Sequence, residues 1–127
     1  MKKLSVALFL IFFSFCSYAQ DARSVRIQVE GNDTTLEYDL KDKAIAMVES
    51  SEKHFLVAAG EADLTINFSV VTIKNGANER LGAAIALLVL DRGESGAISI
   101  TDFSNKAIDI ASFEKSIEDS MSRHLGI

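Results

Sequence analysis

The sequence of 127 residues predicts an α/β two-layer sandwich, in which a mixed sheet of about five strands carries two amphipathic helices on one face. Several segments alternate apolar and polar residues, as half-buried strands do, and two longer segments repeat apolar residues at helical spacing. Their order along the chain is β-α-β-β-β-β-α. Two helices on one face of a sheet bury both kinds of apolar surface in a single core, which favours this fold class.

The first residues have the layout of a secretory signal peptide. Two lysines lie near the start, an apolar run covers residues 4–15, and small residues follow at Ser17 and Ala19. A membrane anchor is the alternative, but a spanning helix needs about 20 apolar residues and this run is shorter. We therefore predict cleavage after Ala19, which divides the sequence into a signal peptide at 1–19 and a single α/β domain at 20–127.

Cys16 is the single cysteine of the sequence. A lipoprotein modified at Cys16 is disfavoured, because lipoproteins carry a small residue immediately before that cysteine and Phe15 lies there. Cleavage after Ala19 leaves a chain without cysteine, which excludes disulfides, thiolate metal ligands and cysteine nucleophiles. The prediction is an exported protein, periplasmic or secreted, with no stable membrane span after cleavage.

The charge of the mature chain argues against nucleic acid as a partner. Cleavage removes two of the 13 basic residues and none of the 18 acidic ones, so the net charge changes from −5 to −7. The charges of both signs are interspersed along the chain. Binding to a phosphate backbone needs clustered Lys and Arg, which this sequence lacks.

The first strand and helix of the domain have clear signals. Residues 24–30 alternate apolar and polar side chains, which predicts a half-buried strand. Thr34 and Glu37 match a capping box, and the apolar spacing after them predicts a helix over 34–51. A short strand is predicted at 54–58. The residues expected to face the core are Val25, Ile27, Val29, Leu36, Leu40, Ala44, Met47 and Val48.

A hairpin follows, and its first strand starts after Ala62. Alternation from Leu64 to Val70 predicts one buried and one wet face. The apolar phase then switches at Val70-Val71, which predicts a bulge or a strong twist there. Residues 75–78, Asn-Gly-Ala-Asn, supply the turn.

The second strand of the hairpin, residues 82–90, is apolar on both faces. One face carries Ile85, Leu87 and Val89, and the other carries Ala84, Ala86, Leu88 and Leu90. A strand of this kind is buried on both sides or covered by a partner on one of them. A buried helix is the alternative, but the flanking turns and the short run favour a strand.

The chain closes with a strand and a helix. Residues 97–103 predict a strand with Ile98 and Ile100 facing the core and Ser99 and Thr101 facing outwards. The second amphipathic helix ends at Gly126. Its predicted apolar stripe is Ile110, Phe113, Ile117, Met121 and Leu125.

The part of the chain from Ala62 onward resembles the amino-terminal domain of TolB and the related envelope domains of the CsgG and LpoB type. Those domains share an Ala-Asp pair entering a strand, a strand ending in LLD or LxD, a glycine turn, a further strand and a helix ending near LTG. The counterparts here are Ala62-Asp63, the residues Leu88-Val89-Leu90-Asp91, Gly93, residues 98–101 and Leu125-Gly126. The family's GSV is Asn67-Phe68-Ser69 here. The resemblance implies the fold and the envelope compartment, and the family's partners are not carried over.

Three aspartates at predicted strand ends are the candidate acid–base groups: Asp63, Asp91 and Asp102. Open sheets often place functional groups at strand ends, although turn and capping roles are the commoner use of such residues. His54 and His124 lie at a helix–strand junction and in a last helical turn, and we predict structural roles for both. The sequence has no metal-binding or nucleophile motif, so no catalytic residue, metal ion or cofactor is predicted.

Three functions remain open. The first is a non-catalytic envelope protein, a small binding or assembly-accessory module that uses a sheet edge or the Ala-rich face of residues 82–90 to bind envelope proteins or another copy of itself. The second is a small periplasmic enzyme or inhibitor that uses the strand-end aspartates. The third is an orphan domain whose apolar face forms a homodimer. The first is favoured, because strand 82–90 is apolar on both sides and helices are expected on only one.

Overall fold

The structure, a computed structural model, describes residues 22–58 and 60–127. The predicted signal peptide and its cleavage site lie outside the described residues. The described chain forms, in order, β1 (Arg23–Gly31), α1 (Thr34–Ser50), β2 (His54–Leu56), β3 (Leu64–Lys74), β4 (Arg80–Arg92), β5 (Ile98–Asp109) and α2 (Phe113–Leu125). A single 3₁₀ turn, Ile110–Ser112, leads into α2. The order β-α-β-β-β-β-α confirms the predicted fold class.

The sheet is mixed, with the strand order β2-β1-β3-β4-β5. The strand β1 runs parallel to both of its neighbours, β2 and β3. The strands β3, β4 and β5 form an antiparallel meander, in which residues 82–91 of β4 pair on both sides. The strand β4 is therefore an interior strand of the sheet, as its apolar character on both faces predicts.

Both helices pack on one face of the sheet and enclose the core. The buried positions of α1 recur every four residues, which places them on one stripe. The helix α2 contributes a second stripe. The core residues shared by the helices and sheet are Val25, Leu36, Leu40, Ala44, Val48, Leu64, Ile66, Phe68, Val70, Ala83, Ile85, Leu87, Val89, Phe113, Ile117, Met121 and Leu125. Neither described helix has the length and apolarity that crossing a bilayer requires.

The N-terminal cap of α1 is Asp33, so the predicted capping box at Thr34 is wrong. The Asp33 carboxylate accepts hydrogen bonds from the amides of Thr35 and Leu36, and Thr34 is already helical. Both residue types cap helices well. Asp33 is selected because its carboxylate also binds side chains from β3 and β4, which the local sequence does not reveal.

The predicted bulge at Val70-Val71 is also wrong. Alternation continues unchanged through β3, with Val70 and Thr72 buried and Val71 and Ile73 exposed. The register between β3 and β4 shifts only after Ile73. The apparent change of phase in the sequence therefore marks apolar side chains on the other face of a regular strand.

The strand β5 differs most from its prediction, since Ile98 and Ile100 are exposed and do not face the core. Val89 pairs with Asp102, but the next residue of β4, Leu90, pairs with Ile100, so Thr101 is an extra residue. A bulge of this kind changes the alternation between the residues before it and those after it, so Ile98 and Ile100 face the same side as Phe103. The strand also continues to Asp109, and Ile110 belongs to the 3₁₀ turn, partly exposed, and not to the α2 stripe.

Candidate functional site: the open face of the sheet

The side of the sheet away from the helices, called here the open face, carries large exposed apolar side chains. Residues paired directly across neighbouring strands point to the same side. On this basis the four predicted residues of β4 lie on the open face together with residues of β3 and β5. They are Val71, Ile73, Ala84, Ala86, Leu88, Leu90, Ile98, Ile100, Phe103 and Ala107. Ile100 and Phe103 are each 66% exposed. The four predicted residues of β4, Ala84, Ala86, Leu88 and Leu90, are half-buried.

The open face is apolar on β4 and β5 and polar on β1 and the start of β3. The pairing aligns Gln28, Asn67, Leu88 and Phe103 across four strands, and we call this line the central row. Arg26 lies two residues before Gln28 and Glu30 two residues after it. The carboxylate of Glu30 accepts a hydrogen bond from the Ser69 hydroxyl at 3.0 Å.

Asn67 has an unusual position in the central row. Its side-chain oxygen Oδ1 is buried and has no hydrogen-bond partner among the described residues. A buried polar atom without a partner costs free energy, so such atoms are uncommon in folded proteins. Asn67 therefore carries one buried acceptor that the described fold leaves without a hydrogen bond.

Of the three predicted aspartates, the structure brings Asp63 and Asp91 together at one end of the sheet. The Arg23 guanidinium donates two hydrogen bonds to the Asp91 carboxylate, at 2.8 and 3.3 Å, and a third to the backbone oxygen of Asp63. The amide and hydroxyl of Ser24 donate to the Asp63 carboxylate at 3.0 and 3.2 Å. These contacts tie β1 to the ends of β3 and β4, which is a structural role.

The contacts of Asp63 have an electrostatic consequence. The hydrogen bond from the Ser24 amide, followed by that from the Ser24 hydroxyl and the charges of Arg23 and Arg92, holds the pKa of Asp63 below its ordinary value, although burial acts in the opposite direction. A carboxylate with a lowered pKa stays ionised and is a weak general base near neutral pH.

We expect Asp63→Asn to lower the free energy of unfolding at pH 7. Because the pKa of Asp63 is lower in the folded state, its carboxylate stabilises the fold above the unfolded value of about 3.9 and loses this effect as the pH falls through the folded value. The difference between wild type and variant should therefore narrow below about pH 4. Denaturant unfolding at several pH values measures it, and Asp42→Asn on α1 controls for the change in net charge. An equal difference at pH 7 and pH 3 contradicts the prediction.

Asp102, the third predicted aspartate, lies in a different cluster. Its Oδ2 is 2.7 Å from Nε2 of His124 and accepts a longer hydrogen bond from Arg123 at 3.4 Å. The contacts join β5 to the last turn of α2. His54 makes a similar local contact, with Nδ1 2.8 Å from the Ser51 hydroxyl, and burial lowers the pKa of His54.

The sequence did not point to Asp33, which is the most connected carboxylate of the described chain. It accepts from the Arg80 guanidinium at 2.8 Å and from the Thr72 hydroxyl at 3.0 Å, besides capping α1. Burial would raise the pKa of Asp33, but the hydrogen bonds from Thr72 and Leu36 and the charge of Arg80 hold it below its ordinary value. Its partners lie about 40 residues away along the chain, so no local pattern could reveal the cluster.

In residues 22–58 and 60–127 no three side chains of His, Cys, Asp or Glu lie close enough together to hold a metal ion. The three aspartates predicted from the sequence lie in two separate clusters, Asp63 and Asp91 in one and Asp102 in the other. Each of them binds neighbouring side chains. The open face is therefore the candidate functional site.

Comparisons with known proteins show the fold. No family model and no curated protein matches the sequence. PelC from Paraburkholderia phytofirmans, solved as a dodecamer, is similar at a TM-score of 0.51 and 10% identity, over 83% of this chain and 86% of that one. A DUF330-family protein from Xanthomonas campestris is similar at a TM-score of 0.50 and 11% identity, over 84% and 82% of the two chains.

TolB from Acinetobacter baumannii is also similar, at a TM-score of 0.56 and 7% identity. The match covers 80% of this chain but only 27% of TolB, as expected for a likeness to one domain of that protein. The described fold is thus consistent with the predicted resemblance to the amino-terminal domain of TolB. At identities this low the three structures show a shared fold, and the resemblance to the CsgG and LpoB type stays a prediction.

Proposed function

We propose that this chain is a non-catalytic protein-binding or assembly-accessory module of the bacterial cell envelope, exported by the signal peptide at residues 1–19. The open face is its binding surface. The observation that carries the proposal is the group of large apolar side chains exposed on that face, among them Ile98, Ile100 and Phe103. Contiguous exposed apolar surface of this kind marks interaction sites, because burying it releases about 25 cal/mol per Å².

Two further observations support the proposal. PelC, which has a similar fold, was solved as a dodecamer, so a domain of this architecture takes part in an assembly of many copies. The signal-peptide layout and the resemblance to TolB-type domains support the envelope as the compartment. For the enzyme alternative we find no supporting observation, since Asp63, Asp91 and Asp102 all bind neighbouring side chains within the described fold.

Site-specific photocrosslinking in intact cells tests the proposed function. A photoreactive phenylalanine analogue at Phe103, on the open face, should form an adduct with a defined envelope protein or with a second copy, identified by mass spectrometry. Tyr38 is the matched control, because it is an aromatic residue 63% exposed on α1, on the helical side. The substitution Ile100→Asp should abolish the adduct formed from Phe103.

Two results contradict the proposal. Either equal adducts form from Phe103 and Tyr38, or no adduct forms from Phe103 although the protein is exported and folded. Recovery of the protein from the periplasmic fraction tests the compartment in the same experiment.

A further inference from the structure

We infer that the partner of the open face is a second copy of the chain, stacked face to face about a two-fold axis that crosses the strands along the central row. This inference rests on the proposed role of the open face and names its occupant. In such an arrangement each strand lies over the same strand of the second copy, running in the opposite direction. A residue two positions before the central row therefore meets the residue two positions after it in the second copy.

The charges of β1 fit this symmetry. Arg26 and Glu30 lie at equal distances on the two sides of Gln28. Four residues along a strand span about 13 Å, so the two side chains are too far apart to pair with each other. Neither takes part in an ion pair within the described chain. The two-fold axis places Arg26 over Glu30 of the second copy, and it does so twice in each dimer.

The distribution of large and small side chains on β4 and β5 also fits the two-fold symmetry. On one side of the central row the open face carries the large residues Leu90, Ile98 and Ile100. On the other side β4 and β5 carry alanines, beside Val71 and Ile73 of β3, and a depression of about 470 Å³ is lined by Val71, Ala84, Ala86, Asn105 and Ala107 among others. The two-fold axis lays Leu90 over Ala86, and Ile98 over Ala107, of the second copy. Large side chains thus fill the spaces left by small ones.

The polar group at the centre provides a third argument. Asn67 lies in the central row, so its side chain faces Asn67 of the second copy. An amide carries both donors and an acceptor, so two facing amides can bond to each other. Because Oδ1 is buried within the single chain, this bond requires the Asn67 side chain to turn outwards, which gives Oδ1 the partner that it lacks within the described chain.

The available area reaches the lower end of the range found in stable interfaces. Four strands about 4.8 Å apart, each contributing about nine residues of about 3.3 Å, give a face on the order of 600 Å² in projection. Stable interfaces bury roughly 1,200–2,000 Å² in total, which is about 600–1,000 Å² on each partner. An unrelated partner would have no reason to match residues placed symmetrically about one row, whereas an interface between identical copies must be complementary to itself.

A charge exchange tests the inference. The protein is expressed from the full-length sequence and purified after any processing that the cell carries out. Sedimentation equilibrium should show a dimer for the wild type. Arg26→Glu and Glu30→Arg each create two like-charge contacts and should raise the dimer dissociation constant by about tenfold or more. The double variant restores both pairs and should return it to within a few-fold of wild type. Lys115→Glu, an exposed site on α2, controls for net charge.

A thiol crosslink provides the second measurement. Gln28 lies on the axis, so Gln28→Cys in a Cys16→Ser background should crosslink to itself with a short bismaleimide, whereas Asp42→Cys on α1 should not. A dimer in which the double variant is no tighter than the single ones overturns the inferred arrangement. If the protein is a monomer and the photoreactive residue at Phe103 crosslinks to a different protein, the inferred dimer is contradicted and the proposed function is supported. A monomer that captures nothing contradicts both.

Discussion

The substitution Ile85→Asp is expected to unfold the protein. Ile85 is 3% exposed in the interior strand β4, and its side chain lies between the sheet and the helices. The substitution removes an apolar side chain, which costs about 2–5 kcal/mol, and buries a carboxylate without a partner, which costs several kcal/mol more. The total stability of a domain of this size is about 5–15 kcal/mol. Circular dichroism and denaturant unfolding measure the loss.

Ile100→Asp is the matched control, because it makes the same chemical change on the adjacent strand. Ile100 is 66% exposed on the open face, so this variant should stay folded and lose about 1 kcal/mol or less. The sequence pattern predicts that both isoleucines face the core, whereas in the structure Ile85 is buried and Ile100 is exposed. Equal losses of stability in the two variants would contradict the bulge at Thr101.

Gly82→Ala should cause the second large loss, about 3 kcal/mol, with a fall in melting temperature of more than about 10 °C. A Cβ atom at Gly82 would lie 2.1 Å from the backbone oxygen of Ile108 and 3.1 Å from its carbonyl carbon. Both atoms belong to the main chain of β5, so the clash cannot be relieved by a side-chain rotation. The strands β4 and β5 must move apart, which weakens their pairing.

The control for this prediction is Gly76→Ala in the turn between β3 and β4. Nothing lies within 4 Å of a Cβ atom at Gly76, and its backbone is not in the left-handed region. The substitution should be neutral or slightly stabilising, because alanine restricts the unfolded chain. If the two variants unfold at the same denaturant concentration, β4 and β5 do not approach each other as closely at Gly82 as described.

The local periodicity of the sequence was sufficient to predict most of the fold. Alternation identified β1, β3 and β4, and four-residue spacing identified both helices, because each of these patterns is formed within a single element. It failed at β5, where Thr101 reverses the phase. The extra residue is recognised only by its pairing with β4, and neither Ile98 nor Ile100 shows by itself which side it faces.

The sequence also predicted only part of the candidate site. Ala84, Ala86, Leu88 and Leu90 lie on one continuous strand, and their shared face follows from the period of two. Gln28, Asn67 and Phe103 come from three other strands, and only the register of the sheet aligns them with Leu88. The cluster of Asp33 and Arg80 was missed for the same reason.

The bulge at Thr101 also affects how copies of the chain can assemble. The strand β5 is a twelve-residue edge, and a long regular edge is a template on which further chains add without limit, as in fibrils. An extra residue at the fourth position of that edge interrupts the ladder of hydrogen bonds that an incoming strand would need. Growth along the edge is open-ended, whereas stacking through the face is complete after two copies. The residue that places Ile98 and Ile100 on the open face is therefore expected to disfavour growth along the edge, which leaves the inferred face-to-face dimer as the closed form of association.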